Sequence, residues 1–444
     1  MFLKISRYCL YASLFSVLIV LPTTFFPFIG GKDYFFRVAI ELALISFVLW
    51  WAFEAKEGEA KKLFHDVLKS PIFWGVTAFA FVFLLASLFA YDPHAAFWSN
   101  YERGEGGFQM IHYYLFFVML AVLFRSWEDW KRAMQVFLIV AGLSIGYGIL
   151  ANAQVSGFLG DQSHWAGRFM ASLGNADYVG VYMIFAMFFT FYLFITSKEK
   201  LNWEKMIPYA ALIIFYLIFF VLAGTRGAVV GLAFGAIALL IYLIIKNNKL
   251  RRPLSIFLIA MVLIGSLLIY YHNSSLIKKL PGSRIFDITF TAGTFQTRFW
   301  TWGAAIKGFE EKPLLGWGPE NFSTVFDKFF DIRHFSPITG GETWFDRAHS
   351  VVFDYLSEIG IIGLLAYLSI FAAFIWQFTK NKVRFLKDDL RYNLAKGAIM
   401  AMIIAYFVQN LSLFEVFPII TSFFFFLAFL IYQFGPKAEI IKEQ

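Results

Sequence analysis

The sequence predicts an all-α protein that crosses a membrane many times. Of its 444 residues, 59% are hydrophobic and only 15% are charged. The chain contains 58 Phe and 13 Trp residues, which is more aromatic surface than a water-soluble core of this length would bury. Its apolar residues are concentrated in runs long enough to span a bilayer as helices, which takes about 20 residues each. These observations exclude an ordinary soluble globular protein.

Twelve apolar segments are predicted to be membrane-spanning helices. The first is longer than the apolar core of a signal peptide and lacks a small-residue cleavage pattern, so we expect it to be retained. The chain shows no internal repeat, which favours a single transmembrane domain over residues 1–444. The predicted spans are 8–29, 34–53, 71–90, 108–124, 133–150, 176–196, 207–223, 227–245, 254–271, 351–378, 394–413 and 417–434.

The distribution of basic residues predicts the orientation of these helices. If the N-terminus is cytoplasmic, the inner connections and termini carry 24 of the 38 Lys and Arg residues, as the positive-inside rule requires. Both termini are therefore predicted to be cytoplasmic, and residues 272–349 to form one large external loop. The net charge of +8 is spread over short clusters, which argues against binding of nucleic acid. The single Cys9 excludes an intrachain disulfide framework.

The external segment 272–349 is predicted to contain two helices. A first set of apolar residues recurs at the spacing of one helix face, and Pro313 ends this helix before a glycine-rich turn. A second, shorter set follows the turn. We expect these side chains to pack onto the membrane surface or the helix bundle, so that the two helices roof a cavity. The two sets are Phe295, Phe299, Trp302, Ile306 and Phe309, and Phe322, Val325, Phe326 and Phe329.

Two arginines of this outer region are candidates for binding an anion. Arg226 lies at the outer junction of two apolar spans, where a charge either points into a polar cavity or snorkels to lipid headgroups. Arg298 lies beside the first aromatic set, where it is either functional or an ordinary solvated helix edge. A guanidinium donates parallel hydrogen bonds and stays charged, which suits a diphosphate. Together the two residues would form an anion clamp.

His349 closes the external segment at the mouth of the next predicted span. It is either a capping or packed histidine or a group that accepts a proton from a hydroxyl near neutral pH. Asp354 and Glu358 follow on one helix face, and we interpret them as a buried polar pair that bonds neighbouring helices. Glu415, at the outer end of the penultimate predicted helix, is a candidate to orient the imidazole or to balance the arginines.

The order and spacing of several short motifs resemble the O-antigen ligase superfamily. This group contains O-antigen ligases, O-antigen polymerases and bacterial protein O-oligosaccharyltransferases. The motifs cover about residues 165–420. They are Gly167-Arg168 to Gly174-Asn175-Ala176-Asp177, Gly224-Thr225-Arg226-Gly227, Thr297-Arg298 to Trp302 and Ala305, Pro313 with Gly316-Trp317-Gly318 and Asn321-Phe322, and Ala348-His349 running into Glu358-Ile359-Gly360-Ile361-Ile362-Gly363-Leu364.

The resemblance implies a GT-C type glycosyltransferase of the bacterial cytoplasmic membrane that acts in lipopolysaccharide biosynthesis at the cell envelope. The donor would be a glycan on undecaprenyl diphosphate, and neither a metal nor a cofactor is expected. Carried over by position, the catalytic residues are His349, Arg298 and Arg226. The candidate substrate-binding residues are Arg168, Asn175, Arg347, Glu415 and Asn321.

The expected reaction is attack of an acceptor hydroxyl on the anomeric carbon, which inverts its configuration. The arginines would stabilise the leaving diphosphate and His349 would activate the hydroxyl. The acceptor stays open between lipid A core, a glycan and a protein, and ligase type is favoured. The alternative of another class is a transporter or flippase for an anionic lipid, whose repeated halves and midplane site this sequence does not show. A non-catalytic membrane scaffold would leave Arg226 without a reason.

Overall fold

The computed structural model describes residues 1–100, 103–159, 167–197, 203–279, 283–287, 293–335, 344–384 and 389–435. Throughout these residues the regular elements are helices, and the predicted all-α class is confirmed. Short 3₁₀ turns lie at Leu14–Leu18, Ala171–Leu173, Ser283–Phe286 and Ile332–His334.

Eighteen α-helices follow one another along the described chain. The first nine are α1 (Phe2–Ser13), α2 (Gly30–Phe53), α3 (Glu59–Val67), α4 (Pro71–Leu88), α5 (Pro93–Trp98), α6 (Gly107–Leu123), α7 (Trp127–Asn152), α8 (Ala176–Thr196) and α9 (Trp203–Ala223). The others are α10 (Arg226–Lys246), α11 (Arg251–Tyr270), α12 (Ser275–Lys278), α13 (Gly293–Glu311), α14 (Phe322–Lys328), α15 (Val351–Glu358), α16 (Gly360–Lys380), α17 (Asp389–Asn410) and α18 (Phe417–Phe434).

Nine helices of the described residues are long and apolar enough to cross a membrane, which confirms the predicted polytopic class. They are α2, α4, α7, α8, α9, α10, α11, α16 and α18. Helix α6 is apolar but only 17 residues long. Helix α17 covers most of the predicted span 394–413 and is more polar. The total of twelve spans stays a prediction.

The first predicted span, 8–29, differs from the helix that forms there. Helix α1 begins at Phe2, and after Ser13 the chain tightens into a 3₁₀ turn and becomes extended at Ile19. Proline has no amide hydrogen and disfavours a helical residue before it, so Pro22 disfavours one continuous helix over residues 8–29. The predicted apolar segment therefore extends well beyond the end of the helix that forms there.

The predicted span 351–378 is divided into α15 and α16. The break lies at Gly360, whose φ of +65° belongs to the left-handed region that glycine adopts without strain. A Cβ at this position would collide with the carbonyl oxygen of Leu314. In the same contact, the backbone amides of Trp317 and Gly318 donate hydrogen bonds to the carbonyls of Ser357 and Glu358 at 2.9 and 2.7 Å. The glycine-rich turn is thereby fastened to the start of α16.

The chain forms two compact units. The first unit comprises Met1–Trp130, Thr289–Lys382 and Leu411–Gln444, and every residue of its helix α18 is buried. The second unit comprises Lys131–Ile288 and Val383–Asn410. In the second unit α10 and α17 pack closely at Gly231, which has no side chain. A Cβ at this position would lie 2.5 Å from the carbonyl oxygen of Ala405. The organisation as one domain with one external loop stays a prediction.

The two helices predicted in the external segment form as α13 and α14, and both belong to the first unit. Their buried core differs from the predicted apolar face: Phe299 and Ile306 are 51% and 42% exposed, whereas Ala304 and Ala305 are buried. Small side chains allow α13 to approach its neighbours closely. This core consists of Ala304, Ala305, Trp317, Phe322, Val325, Phe326, Phe345 and Ala348. Residues 280–282, 288–292 and 336–343 of the predicted loop lie outside the described residues.

Candidate functional site

His349 occupies a strained backbone position immediately before α15. Its φ of +57° is left-handed, a conformation that costs a residue with a side chain about 1–3 kcal/mol. The preceding residue, Ala348, is held at both ends: its amide donates to Asp354 Oδ1 at 2.6 Å, and its carbonyl accepts from Trp302 Nε1 at 2.9 Å. Contacts from α13 and α15 therefore maintain the unusual conformation.

The environment of the His349 ring sets its tautomer. The ring packs edge-on against Phe345 and Phe414, with centroids 5.4 and 5.0 Å away. Its Nδ1 lies 3.1 Å from the carbonyl oxygen of Arg347. Because a carbonyl oxygen only accepts hydrogen bonds, Nδ1 carries the proton of the neutral ring. The lone pair is consequently on Nε2.

Burial and, second to it, the charge of Arg298 lower the pKa of His349 from 6.5 to about 4. The imidazole is therefore neutral at pH 7. Both residues belong to the first unit, so the structure brings two of the three predicted catalytic residues into electrostatic contact. The arrangement is chemically suited to accept a proton beside a bound anion.

Arg347, a predicted substrate-binding residue, is held inside the first unit. Its guanidinium forms ion pairs with Glu320 and with Glu358, the latter at 3.0 Å, and all three side chains are at most 7% exposed. Burial alone would lower the pKa of Arg347, but the two carboxylates raise it well above its usual value. The guanidinium thus anchors the segment that carries His349. Glu358, interpreted as one of a buried polar pair with Asp354, has Arg347 as its ion partner.

Arg103 and Asp346 form a second ion pair next to this segment. Two nitrogens of Arg103 donate to the Asp346 carboxylate at 2.6 and 3.0 Å, and its guanidinium lies over the ring of Phe414. Burial would raise the pKa of Asp346, but Arg103 lowers it below its usual value. Sequence reasoning missed these partners, because Arg103 and Asp346 are 243 positions apart and no local pattern connects them.

Glu415 and Asn321, two further predicted binding residues, are engaged by groups of the fold. The Glu415 carboxylate accepts hydrogen bonds from the hydroxyls of Tyr355 and Tyr367 at 2.8 and 3.3 Å. The Asn321 amide accepts from the backbone of Asp92 at 3.1 Å and donates to the carbonyl of Pro319 at 2.9 Å. Both side chains are buried. Their present contacts fasten helices and loops of the first unit together.

The third predicted catalytic residue, Arg226, belongs to the second unit. Its Nη2 donates to Asp287 Oδ2 at 2.7 Å. Its Nε is buried and meets no hydrogen-bond acceptor among the described residues. A buried donor without an acceptor is costly, and a bound anion would satisfy it.

Arg168 and Asn175 organise the turn that precedes α8 in the same unit. Arg168 pairs with Asp177 and donates to the carbonyl of Ala223 at 2.8 Å and to Thr225 Oγ1 at 3.1 Å. Asn175 is the N-cap of α8, because its side chain accepts from the amide of Asp177 at 2.8 Å. The two predicted motifs of this unit therefore meet at the start of α10.

Arg284 joins these arginines, although sequence reasoning did not select it. Burial lowers the pKa of Arg284, and the charges of Arg168 and Arg226 lower it further. Arg168 and Arg226 thus lie close enough to Arg284 in the second unit to repel it, although Asp177 and Asp287 oppose this effect, and a bound polyanion would offset the remaining repulsion. Arg284 lacks a motif that would have identified it. Among the described residues no group of three or more His, Cys, Asp or Glu is arranged to hold a metal ion.

A protein-family model matches part of the chain. Residues 211–368 match the family model Wzy_C, described as O-antigen ligase. The matched range begins within α9, ends within α16, and contains Arg226, Arg298 and His349. No curated protein matches the chain. The family match confirms the predicted resemblance to the O-antigen ligase superfamily over about a third of the chain. It supports a multi-pass membrane protein of the kind that transfers glycans as a ligase or polymerase.

Proposed function

We propose that the protein is an O-antigen ligase of the bacterial cytoplasmic membrane. It moves a glycan from undecaprenyl diphosphate to an acceptor hydroxyl at the outer face, without a metal ion, and both of its termini are cytoplasmic. The observation that carries this proposal is the neutral His349, whose Nδ1 is bonded to a backbone carbonyl and whose Nε2 retains its lone pair. This is the state that a general base requires.

In the proposed reaction, His349 Nε2 takes the proton of the acceptor hydroxyl while its oxygen attacks the anomeric carbon. A bond forms between this oxygen and the anomeric carbon, and the bond from that carbon to the diphosphate oxygen breaks. Undecaprenyl diphosphate leaves with the bond's electron pair. Because the attack and departure occur on opposite faces of the sugar, the anomeric configuration is inverted. Arg298 stabilises the charge that grows on the leaving group.

Because Arg298 lies near His349, binding of the donor should change the basicity of His349. In the free protein the cation lowers the pKa of His349. A donor diphosphate beside Arg298 would neutralise this charge and return the pKa towards 6.5. The base would then be strengthened when the donor is in place.

Arg226 is proposed to bind phosphate together with Arg168 and Arg284. The support is the repulsion of Arg284 by the charges of Arg168 and Arg226, together with the Nε of Arg226, which meets no acceptor among the described residues. A polyanion would provide hydrogen-bond acceptors and compensating charge at once. Inorganic phosphate or diphosphate should compete with the donor for this cluster.

The test is glycan transfer by the purified protein in lipid nanodiscs. With an undecaprenyl-diphosphate glycan and an acceptor, we expect product from the native protein and a loss of at least about 100-fold for His349→Ala. His65→Ala, the same substitution at an exposed position of α3, is the matched control and should retain activity. Activity in a folded His349→Ala variant would rule out the base.

The acceptor is identified by offering lipid A core, a glycan chain and a Ser- and Thr-containing peptide in parallel. Transfer to lipid A core supports the ligase, whereas transfer only to a glycan or peptide would replace it by a polymerase or a protein glycosyltransferase. Movement of the intact donor across the bilayer without any product would instead indicate a flippase.

A further inference from the structure

We propose that Asp354 is a positioning residue that orients His349 through the peptide unit between Arg347 and Ala348. The inference rests on the proposed function in one respect, namely that His349 is the base. It adds a residue that acts without contacting the reacting atoms. Neither the sequence pattern nor the family resemblance assigned this role to Asp354.

The geometry of one peptide unit connects Asp354 to His349. The carbonyl of Arg347 and the amide of Ala348 belong to the same planar peptide group, in which the C=O and N–H bonds of a trans peptide point in opposite directions. The amide donates to Asp354 Oδ1 at 2.6 Å, and the carbonyl accepts from His349 Nδ1 at 3.1 Å. The carboxylate therefore determines where the carbonyl points.

Asp354 holds the chain on both sides of His349. Its side chain binds the amide of Ala348, and its own backbone amide donates to the carbonyl of Ser350 at 2.8 Å. His349 lies between these two points with a left-handed φ. Strained conformations of this kind persist only where the surroundings determine them, so release of one contact should let the histidine relax.

Among the described residues, the side chain of Asp354 accepts its hydrogen bond from the amide of Ala348. It is 3% exposed, and its Oδ2 accepts no hydrogen bond from the described residues. The hydrogen bond from the Ala348 amide to Asp354 Oδ1 also polarises the peptide and strengthens the carbonyl of Arg347 as an acceptor. A stronger acceptor keeps the proton on Nδ1 and the lone pair on Nε2.

Steady-state kinetics with variants of Asp354 tests this role. Asp354→Asn retains an oxygen acceptor and should keep kcat within about threefold, whereas Asp354→Ala should lower kcat at least about tenfold. KM for the donor should change less than about twofold in both, because Asp354 does not contact the substrate. Ser357→Ala is the matched control, since the hydroxyl of this buried residue of α15 donates to carbonyls of its own helix. Equal kcat in Asp354→Ala and the native protein would overturn the proposal.

A spectroscopic experiment separates positioning from catalysis. The protein contains seven histidines, and ¹⁵N labelling of their rings with His349→Ala as the assignment variant identifies the His349 signals. We expect the Nδ1-protonated tautomer in the native protein and in Asp354→Asn, and a shift towards the Nε2-protonated tautomer in Asp354→Ala. An unchanged tautomer in Asp354→Ala would overturn the proposal.

The two proposals fail in distinguishable ways. If His349→Ala remains active, the base is wrong, yet the ring signals still show whether Asp354 sets the tautomer. If Asp354→Ala does not fold, Asp354→Leu takes its place, because leucine has a similar branched shape and no oxygen that could accept from the Ala348 amide. The native tautomer in a folded Asp354→Leu variant contradicts the positioning role.

Discussion

The pH dependence of glycan transfer tests the electrostatics of His349 most directly. The profile of kcat/KM reports ionisations of the free enzyme, and the base works only when it is neutral. With a pKa of about 4, about 90% of the imidazole is neutral at pH 5. With the unperturbed pKa of 6.5, only about 3% would be neutral. The native protein should therefore keep nearly its full kcat/KM at pH 5 and lose it only as the pH approaches 4.

The profile of kcat should differ from that of kcat/KM. It reports the complex with donor, in which the diphosphate offsets the charge of Arg298. The acid limb of kcat is expected at a higher pH than that of kcat/KM, between about 4 and 6.5. The assay is product formation at saturating and limiting donor in buffers of constant ionic strength.

Arg298→Ala provides an independent check of the cause. Removal of the cation should raise the pKa of His349, although burial keeps it below 6.5. Because this variant also loses a phosphate contact, the pKa is measured from the ring signals of His349 during titration. A midpoint near 6.5 in the free native protein would refute the reasoning.

The same shift makes stability depend on pH. The pKa of His349 is lower in the folded than in the unfolded chain, so the unfolded chain binds the proton first as the pH falls. The free energy of unfolding therefore keeps its full value above pH 6.5 and decreases as the pH falls from 6.5 to about 4. The decrease in the free energy of unfolding amounts to about 3 kcal/mol, since each unit of pKa difference corresponds to about 1.36 kcal/mol.

Three further predictions concern stability and donor binding. Arg347→Met leaves two carboxylates buried and should cost about 3–5 kcal/mol, whereas Lys328→Ala at an exposed ion pair should cost less than about 1 kcal/mol, both compared by thermal unfolding in nanodiscs. Gly360→Ala should cost at least about 2 kcal/mol in the same assay, because the new Cβ meets the carbonyl of Leu314, and native stability would contradict this. Arg284→Ala should raise the donor KM about tenfold with kcat little changed; an unchanged KM would exclude Arg284 from the phosphate site.

The helices could be predicted where hydropathy and length agree, as in α8 and α18, whose bounds coincide with the predicted spans. The prediction was less accurate where proline or glycine interrupts an apolar run. Pro22 interrupts the predicted span 8–29, and Gly360 divides the segment that follows His349. Hydropathy sums over such residues and does not register the change in backbone geometry.

The candidate site was predictable in its charged residues but not in their partners. Arg226, Arg298 and His349 were selected from position and motif order, and each lies within the range that matches the family model. The ion pairs of Arg347 and the contact of Asp354 with a backbone amide carry no local sequence signal. They depend on α13, α15 and the intervening turn meeting in space.

The sequence by itself determined the class of this protein, since the apolar excess and helix-length runs leave a polytopic membrane fold as the stable arrangement in lipid. It also selected the candidate base and the candidate anion-binding arginines, because the order and spacing of the motifs can be seen along the chain. Only the tertiary structure decided the tautomer and pKa of His349, the buried partners of Arg347 and the membership of Arg284 in the arginine cluster. The physical reason is that protonation and ion pairing depend on burial and distances of a few ångströms, which folding establishes between residues far apart in the chain.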